Sequence, residues 1–354
     1  MPDLLNLTYP ELEALVTQDL GQPRFRAGQI WQWLWQKNVT DINAMTDVSL
    51  ATRRLLQETT TVCLPEIVTE QVSADGTRKL LLKLRDGQTV ETVLIPGETR
   101  DGTIRWSQCL SCQVGCVMGC TFCSTGTMGF IRNMTAGEIL AQVLVGKRVL
   151  ADDNPGRPLI RNLVFMGMGE PLLNLKEILR GLEMLNDPKG LNFSPRRITV
   201  STCGIKPGLK QLGESGRAFI AVSLHAPTQA LRAQIMPKAA QWQLNDLVDA
   251  LEAYPLKTRE SITLEYMLMG GVNDRPQHAK ELGQIAKRLK AKLNLIVYNP
   301  VAGLPYSAPG EADVAAFQKI LWDMGLTAIL RKSKGQDIDA ACGQLRGRSP
   351  ITDA

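Results

Sequence analysis

Five cysteines fall within one short stretch, Cys109-Leu110-Ser111-Cys112-Gln113-Val114-Gly115-Cys116-Val117-Met118-Gly119-Cys120-Thr121-Phe122-Cys123, and the last three have the spacing Cys-x3-Cys-x2-Cys. Spacings of two and three residues let a single loop wrap a cuboidal [4Fe–4S] cluster, which takes four ligands. Cys116, Cys120 and Cys123 supply three, so one iron is left open to hold a substrate. With Cys112 as a fourth ligand the site would be closed and would only transfer electrons. Such spacings also suit structural Zn²⁺, although zinc sites usually pair two dyads across a longer spacer, and no second dyad follows here. A disulfide framework is not expected. The chain is long, its thiols are closely packed, and its first residues lack the basic-then-apolar pattern of a secretory leader.

A second concentration of chemistry lies at Arg331-Lys332-Ser333-Lys334-Gly335-Gln336-Asp337-Ile338-Asp339-Ala340-Ala341-Cys342-Gly343-Gln344. A cysteine among small residues and close to basic ones is expected in an electropositive, mobile segment that favours thiolate. A buried, inert cysteine is the ordinary alternative. Cys109 changes the weighing, because two cysteines brought to one place can act as a redox pair.

The elements that must position these residues are legible in the patterning. Residues 1–60 read as helical: Thr8-Tyr9-Pro10-Glu11 has the form of a capping box, a second helix spans 26–36, and a third spans 49–58. Trp31, Trp33 and Trp35 are expected in the core of this module rather than as a base-stacking platform. Alternating residues over 79–95, broken at Asp86-Gly87, predict a hairpin. From about 103 the chain repeats strand then helix. Strands are expected at 103–109, 161–167, 196–202, 218–224, 261–268 and 293–298. Helices are expected at 136–149, 173–186, 206–213, 243–253, 276–290 and 311–324. Six such units predict an α/β fold, a partial (β/α) barrel whose site lies at the carboxyl ends of its strands. Those ends carry Gly169-Glu170, Ser201-Thr202, Ser223-Leu224-His225 and Asn299, small and polar groups suited to a ribose, carboxylate or adenine. His225 alone reads equally well as a buried, satisfied histidine.

The 354 residues, 44% of them hydrophobic, support a large core with a small appendage. No apolar run approaches the roughly 20 residues of a membrane span. Eight cysteines and no export signal point to the reducing cytosol. The net charge of +5 is uneven, with five Lys/Arg against seven Asp/Glu in the first 60 residues, so the basic excess lies in the remainder. A mildly basic body suits a polyanionic partner.

The motif Cys116-Val-Met-Gly-Cys120-Thr-Phe122-Cys123, with its aromatic before the last cysteine, resembles the radical S-adenosylmethionine enzymes. Within them the chain resembles the RlmN family, adenine-C2 methyltransferases of 23S rRNA and tRNA, over nearly its whole length. The likeness includes Phe25-Arg-Ala-Gly-Gln-Ile-Trp-Gln-Trp33, Val90-Glu91-Thr-Val-Leu-Ile-Pro96, Ser111-Cys-Gln-Val-Gly-Cys116, Met166-Gly-Met-Gly-Glu-Pro-Leu-Leu-Asn174, Ser223-Leu-His-Ala-Pro227 and Gly335-Gln-Asp-Ile-Asp-Ala-Ala-Cys-Gly-Gln344. The Gly-Glu-Pro-Leu-Leu-Asn motif and the N-terminal segment favour this branch over its C8-specific relatives.

The resemblance implies a partial (β/α)6 radical-SAM barrel over 102–340, an N-terminal helical RNA-binding domain over 1–60, a β-hairpin linker over 61–101 and a C-terminal segment over 341–354. It implies one [4Fe–4S] cluster on Cys116, Cys120 and Cys123, and S-adenosylmethionine held by Gly169, Glu170, Ser201, Ser223, Leu224, His225 and Asn299. Two cosubstrates are consumed per methylation. One methylates Cys342, and reductive cleavage of another gives the radical that abstracts hydrogen from that methyl group. The carbon then adds to C2 as a covalent protein–RNA intermediate. Glu91 is implied as the proton acceptor, and Cys109 as the resolving cysteine that forms a transient disulfide with Cys342. A cytoplasmic monomer with an electron donor such as flavodoxin or ferredoxin is further implied. The sequence departs from the family pattern at Cys112, where serine is common, at Cys203, and in a longer link from Pro96 to Cys109.

Overall fold

The computed structural model describes residues 1–98, 102–153, 160–258 and 260–347. The end of the expected linker, 99–101, and the last part of the C-terminal segment, 348–354, lie outside the described residues.

The N-terminal helices begin where their caps predict. The Glu11 carboxylate accepts from the Thr8 backbone N–H and hydroxyl, both at 2.8 Å, and opens the helix Tyr9–Ala14, which widens into a π-type turn over Leu15–Asp19. Phe25–Trp31 continues in the same way to Gln36, and Ser49 caps Leu50–Thr59. Leu12, Val16, Ile30, Leu34 and Leu56 close the core of this module. Trp31 and Trp35 are fully buried within it, their rings 5.6 Å apart, which removes them as a stacking platform. Trp33 is half-buried under the Lys37 ammonium. The module docks on the helix Ala136–Asp153, where Gly137 donates to Asn6 Oδ1 at 3.0 Å. A Cβ at Gly137 would stand 2.9 Å from the backbone of Leu5 and Asn6, so only glycine permits this approach.

One sheet carries the rest. Strands β1 (Glu66–Val72), β2 (Arg78–Lys83), β3 (Thr89–Glu98) and β4 (Ile104–Cys109) pair antiparallel in sequence order. A small separate hairpin follows, β5 (Gln113–Gly115) with β6 (Phe130–Asn133). From β4 the main sheet continues in parallel through β7 (Ile160–Phe165), β8 (Ile198–Thr202), β9 (Phe219–Ser223), β10 (Thr263–Leu268), β11 (Lys292–Val297) and β12 (Ala328–Arg331). The six expected strands and six expected helices are present, the helices as Ala136–Asp153, Leu175–Asn186, Lys206–Ser215, Leu244–Glu252, Pro276–Leu289 and Glu311–Asp323.

Two corrections concern the sheet's margins. The expected hairpin has a third strand, β1, and the parallel run has a seventh, β12. Both are edge strands with exposed apolar residues, among them Val72, Ile329 and Leu330, so neither shows the burial pattern that marks a central strand. Among the described residues no helix is long and apolar enough to cross a membrane.

Candidate active site

The carboxyl ends of the parallel strands open on a cleft with about 810 Å³ of empty space, and the cysteine loop forms one of its walls. β5 delivers the chain to Cys116, whose N–H donates to Gly129 O at 2.8 Å. Cys120 and Cys123 follow, and all three thiols line the cleft beside Met118 and Phe122. Burial pushes the Cys116 thiol up to about 12, and the neighbouring Cys123 adds to the rise. Cys120 is likewise raised well above the ordinary thiol range, by burial first and then by Cys123 and Cys116. Three buried thiols pressed together resist ionisation, and the charge of Arg232 opposes this at Cys120 without outweighing burial, so bound cationic charge would suit the set. Among the described residues no three His, Cys, Asp or Glu side chains are arranged to hold one metal ion. A cuboidal cluster instead takes one thiolate on each of three separate irons, and the donor set fits that group. Cys112 is buried away from the cleft, so the closed four-thiolate site loses its fourth ligand, whereas Cys203 lines the cleft.

The floor is a network tied together across neighbouring strands. Glu170 is buried, and its carboxylate accepts from Leu172 N at 2.9 Å, Thr202 Oγ1 at 2.6 Å and Cys203 N at 2.8 Å. Burial raises its pKa against these donors. Gly169 adopts φ +104°, and a Cβ there would lie 2.6 Å from Gln113 Cβ. This glycine therefore permits a close approach to the strand that launches the cysteine loop. Ser201 Oγ donates to Glu265 Oε2 at 2.6 Å and lies 3.2 Å from Ser223 Oγ.

The His225 backbone is left-handed, at φ 54°. Its Nδ1 accepts from Met267 N at 3.1 Å, and its ring meets Phe122 edge-on at 5.2 Å. Burial, then the charge of Arg232, holds its pKa down to about 3. The imidazole is thus neutral, with its proton on Nε2. Leu224 is in the core, with its N–H on Glu265 O. Asn299 is buried, its Oδ1 taken by Gln336 and its Nδ2 without a partner among the described residues.

Cys342 joins this cleft to a second cavity. It lines both, and Cys109, at the end of β4, lines the second together with Arg331. The Cys342 segment is tied to the cysteine loop: Gly343 O accepts from Ser124 N at 2.7 Å, and Leu345 O from Thr125 Oγ1 at 2.7 Å. All eight cysteines are free. The expected thiolate is not favoured here. Burial pushes Cys109 up to about 12 and raises Cys342, and Arg331 only partly opposes this. Glu91 lies beyond the cleft's lining. Its buried carboxylate pairs with Lys79 at 3.4 Å and accepts from the backbone N–H groups of Arg346 (2.6 Å) and Gly347 (3.1 Å).

Two family descriptions match the chain: a ribosomal RNA large subunit methyltransferase N-terminal domain over residues 2–62, and the radical SAM superfamily over residues 110–282. A protein of Nitratidesulfovibrio vulgaris (strain DSM 19637 / Miyazaki F) named dual-specificity RNA methyltransferase RlmN is 66% identical, across 98% of this chain and 94% of its own. Its namesake in Lawsonia intracellularis is 60% identical, across 98% and 97%. The chain belongs to the RlmN family. The crystal structure of a radical SAM methyltransferase from Sphaerobacter thermophilus superposes with a TM-score of 0.91 at 40% identity, covering 98% of this chain and all of that one.

In this RlmN-family chain the structure gathers Cys116, Cys120, Cys123, Gly169, Glu170, Ser201, Ser223, His225 and Cys342 around one cleft, with Cys109 next door. It leaves the side chains of Leu224, Asn299 and Glu91 outside that lining. Sequence reading missed Glu265, a buried acid in the otherwise apolar strand β10. An acid at such a position was the available signal. It also missed the way Asp337 binds Ser73 Oγ (2.6 Å) and Ala74 N (3.0 Å), which clamps the approach to Cys342 onto the β1–β2 turn.

Proposed function

We propose that this RlmN-family protein is a radical S-adenosylmethionine RNA methyltransferase that places a methyl group on C2 of adenine in 23S rRNA and tRNA. It does so through a methylated cysteine and a covalent protein–RNA intermediate. Cys116, Cys120 and Cys123 hold a [4Fe–4S] cluster, and S-adenosylmethionine sits over Gly169, Glu170, Ser201, Ser223, Leu224, His225 and Asn299. When bound, this pair supplies the methyl group and the hydrogen-abstracting radical, chemistry that no side chain of the chain provides. C2 of adenine is an electrophilic amidine carbon, so a polar methyl transfer to it has no workable route. The Nε2–H of neutral His225, which lines the cleft, is fitted to a carboxylate or adenine acceptor.

The observation that carries the reading is the place of Cys342 between the cluster thiols and Cys109, lining both cavities. In that position its sulfur receives the methyl carbon from the cofactor side and presents it to the base. Glu91 takes the C2 proton once RNA replaces the backbone of Arg346 and Gly347 on its carboxylate. Cys109 then attacks the Cys342 sulfur, the Cys342 S–C bond breaks, and 2-methyladenine leaves as a transient disulfide forms. The target base must be unstacked to reach a barrel mouth, so loops and partly folded RNA are the substrates. The enzyme works in the cytoplasm as a monomer, reduced by a flavodoxin- or ferredoxin-type donor. Mass spectrometry of nucleosides after anaerobic turnover tests this. The wild type yields 2-methyladenosine and Cys342→Ala yields none; methylated product from Cys342→Ala would sink the reading.

A further inference from the structure

Arg331 has no part in the chemistry above, yet it stands beside it. It is the last residue of β12, at the same sheet end as the other site residues. It lines the Cys109–Cys342 cavity and an adjoining one of about 610 Å³, where Lys332, Ser333, Lys334 and Cys342 join it and no acidic side chain does. Among the described residues it makes no ion pair, and its hydrogen-bond contact is the Met166 thioether at 3.9 Å. Glu265 and the two thiols act on it only at longer range. A guanidinium keeps its charge at any accessible pH, and when largely buried it is ordinarily paired. Its planar fork of donors matches a phosphate oxygen pair. Arg331 lines the Cys109 cavity and not the cleft of the cluster thiols. A nucleotide's phosphate lies one sugar away from its base. A base held at the Cys342 sulfur therefore places a phosphate in this adjoining basic cavity.

We propose that Arg331 seats the RNA backbone phosphate flanking the target adenosine, with Lys332 and Ser333 beside it. The proposal rests on the reading of the protein as an RNA methyltransferase. The test uses anaerobically reconstituted holoenzyme without cosubstrate and a short RNA hairpin bearing an unpaired adenosine in its loop. Binding is measured across a salt series for the wild type, Arg331→Gln and Arg331→Lys, with iron content and melting temperature recorded for each.

Arg331→Gln is expected to bind about tenfold or more weakly, with a log Kd against log [salt] slope shallower by about one. Arg331→Lys is expected to recover the slope but not the full affinity. A neutral methylphosphonate at one linkage beside the adenosine is expected to weaken the wild type and to add no loss in Arg331→Gln. The proposal falls if Arg331→Gln keeps the wild-type affinity and slope, or if it shifts only the pH profile of methylation. It falls equally if no flanking methylphosphonate weakens the wild type, a result that does not depend on any variant folding. A wild type that binds through Arg331 but makes no methyladenosine overturns the function and leaves the phosphate seat standing.

Discussion

On the floor of the cleft, Glu170 accepts from three donors, Ser201 is bound to Glu265, and His225, held neutral by burial, has its Nδ1 taken by a backbone N–H. On the Cys342 wall, Arg331 touches a thioether, Lys334 reaches the Pro96 carbonyl (2.8 Å) and no other partner among the described residues, and two thiols remain free. The floor's hydrogen bonds are largely satisfied within the chain, so it is rigid before any ligand arrives and costs little to reorganise. The wall keeps cationic groups with donors unused among the described residues, as the proposed RNA seat requires. Changes to the floor should therefore show first in stability, and changes to the wall first in binding.

The largest stability effect is expected at the floor. Gly169→Ala forces an L side chain into φ +104° with its Cβ 2.6 Å from Gln113 Cβ, so calorimetry should record a loss of about 3 kcal/mol or more. His225 gives a smaller effect that depends on pH. Its folded pKa of about 3 lies below the ordinary histidine value of 6.5, so its contribution is present above 6.5 and lost as pH falls toward 3. Between pH 7.5 and 5 the wild type should lose about 2 kcal/mol more than His225→Asn, a residue that tolerates the left-handed backbone. On the wall, Lys334→Met should change stability by less than about 1 kcal/mol while visibly weakening RNA binding. Equal stability losses at both regions would erase the contrast.

Local patterns carried most of what the sequence disclosed. The cysteine loop, the capping box at Thr8–Glu11 and the strand–helix alternation each depend on residues within a few positions of one another. Contacts between distant segments were not legible. Glu91 is bound by residues 255 and 256 positions away, and Arg180 binds the Asn6 carbonyl across 174. Glu170 was legible as a polar group at a strand end, but its bonds to Thr202 and Cys203 at the end of the neighbouring strand were not. Edge strands β1 and β12 escaped because their exposed faces erase the alternation by which a strand is recognised. Cys342 was located by its basic neighbours, yet its thiol is governed by burial, which composition does not report.

The division of labour between the two sulfurs is tested most directly by Cys109→Ala holoenzyme, incubated anaerobically with RNA, S-adenosylmethionine and reductant. Mass spectrometry of the digested product should find RNA joined to the peptide containing Cys342, with little free 2-methyladenosine. Normal turnover by Cys109→Ala, or an adduct on any residue other than Cys342, would contradict the account.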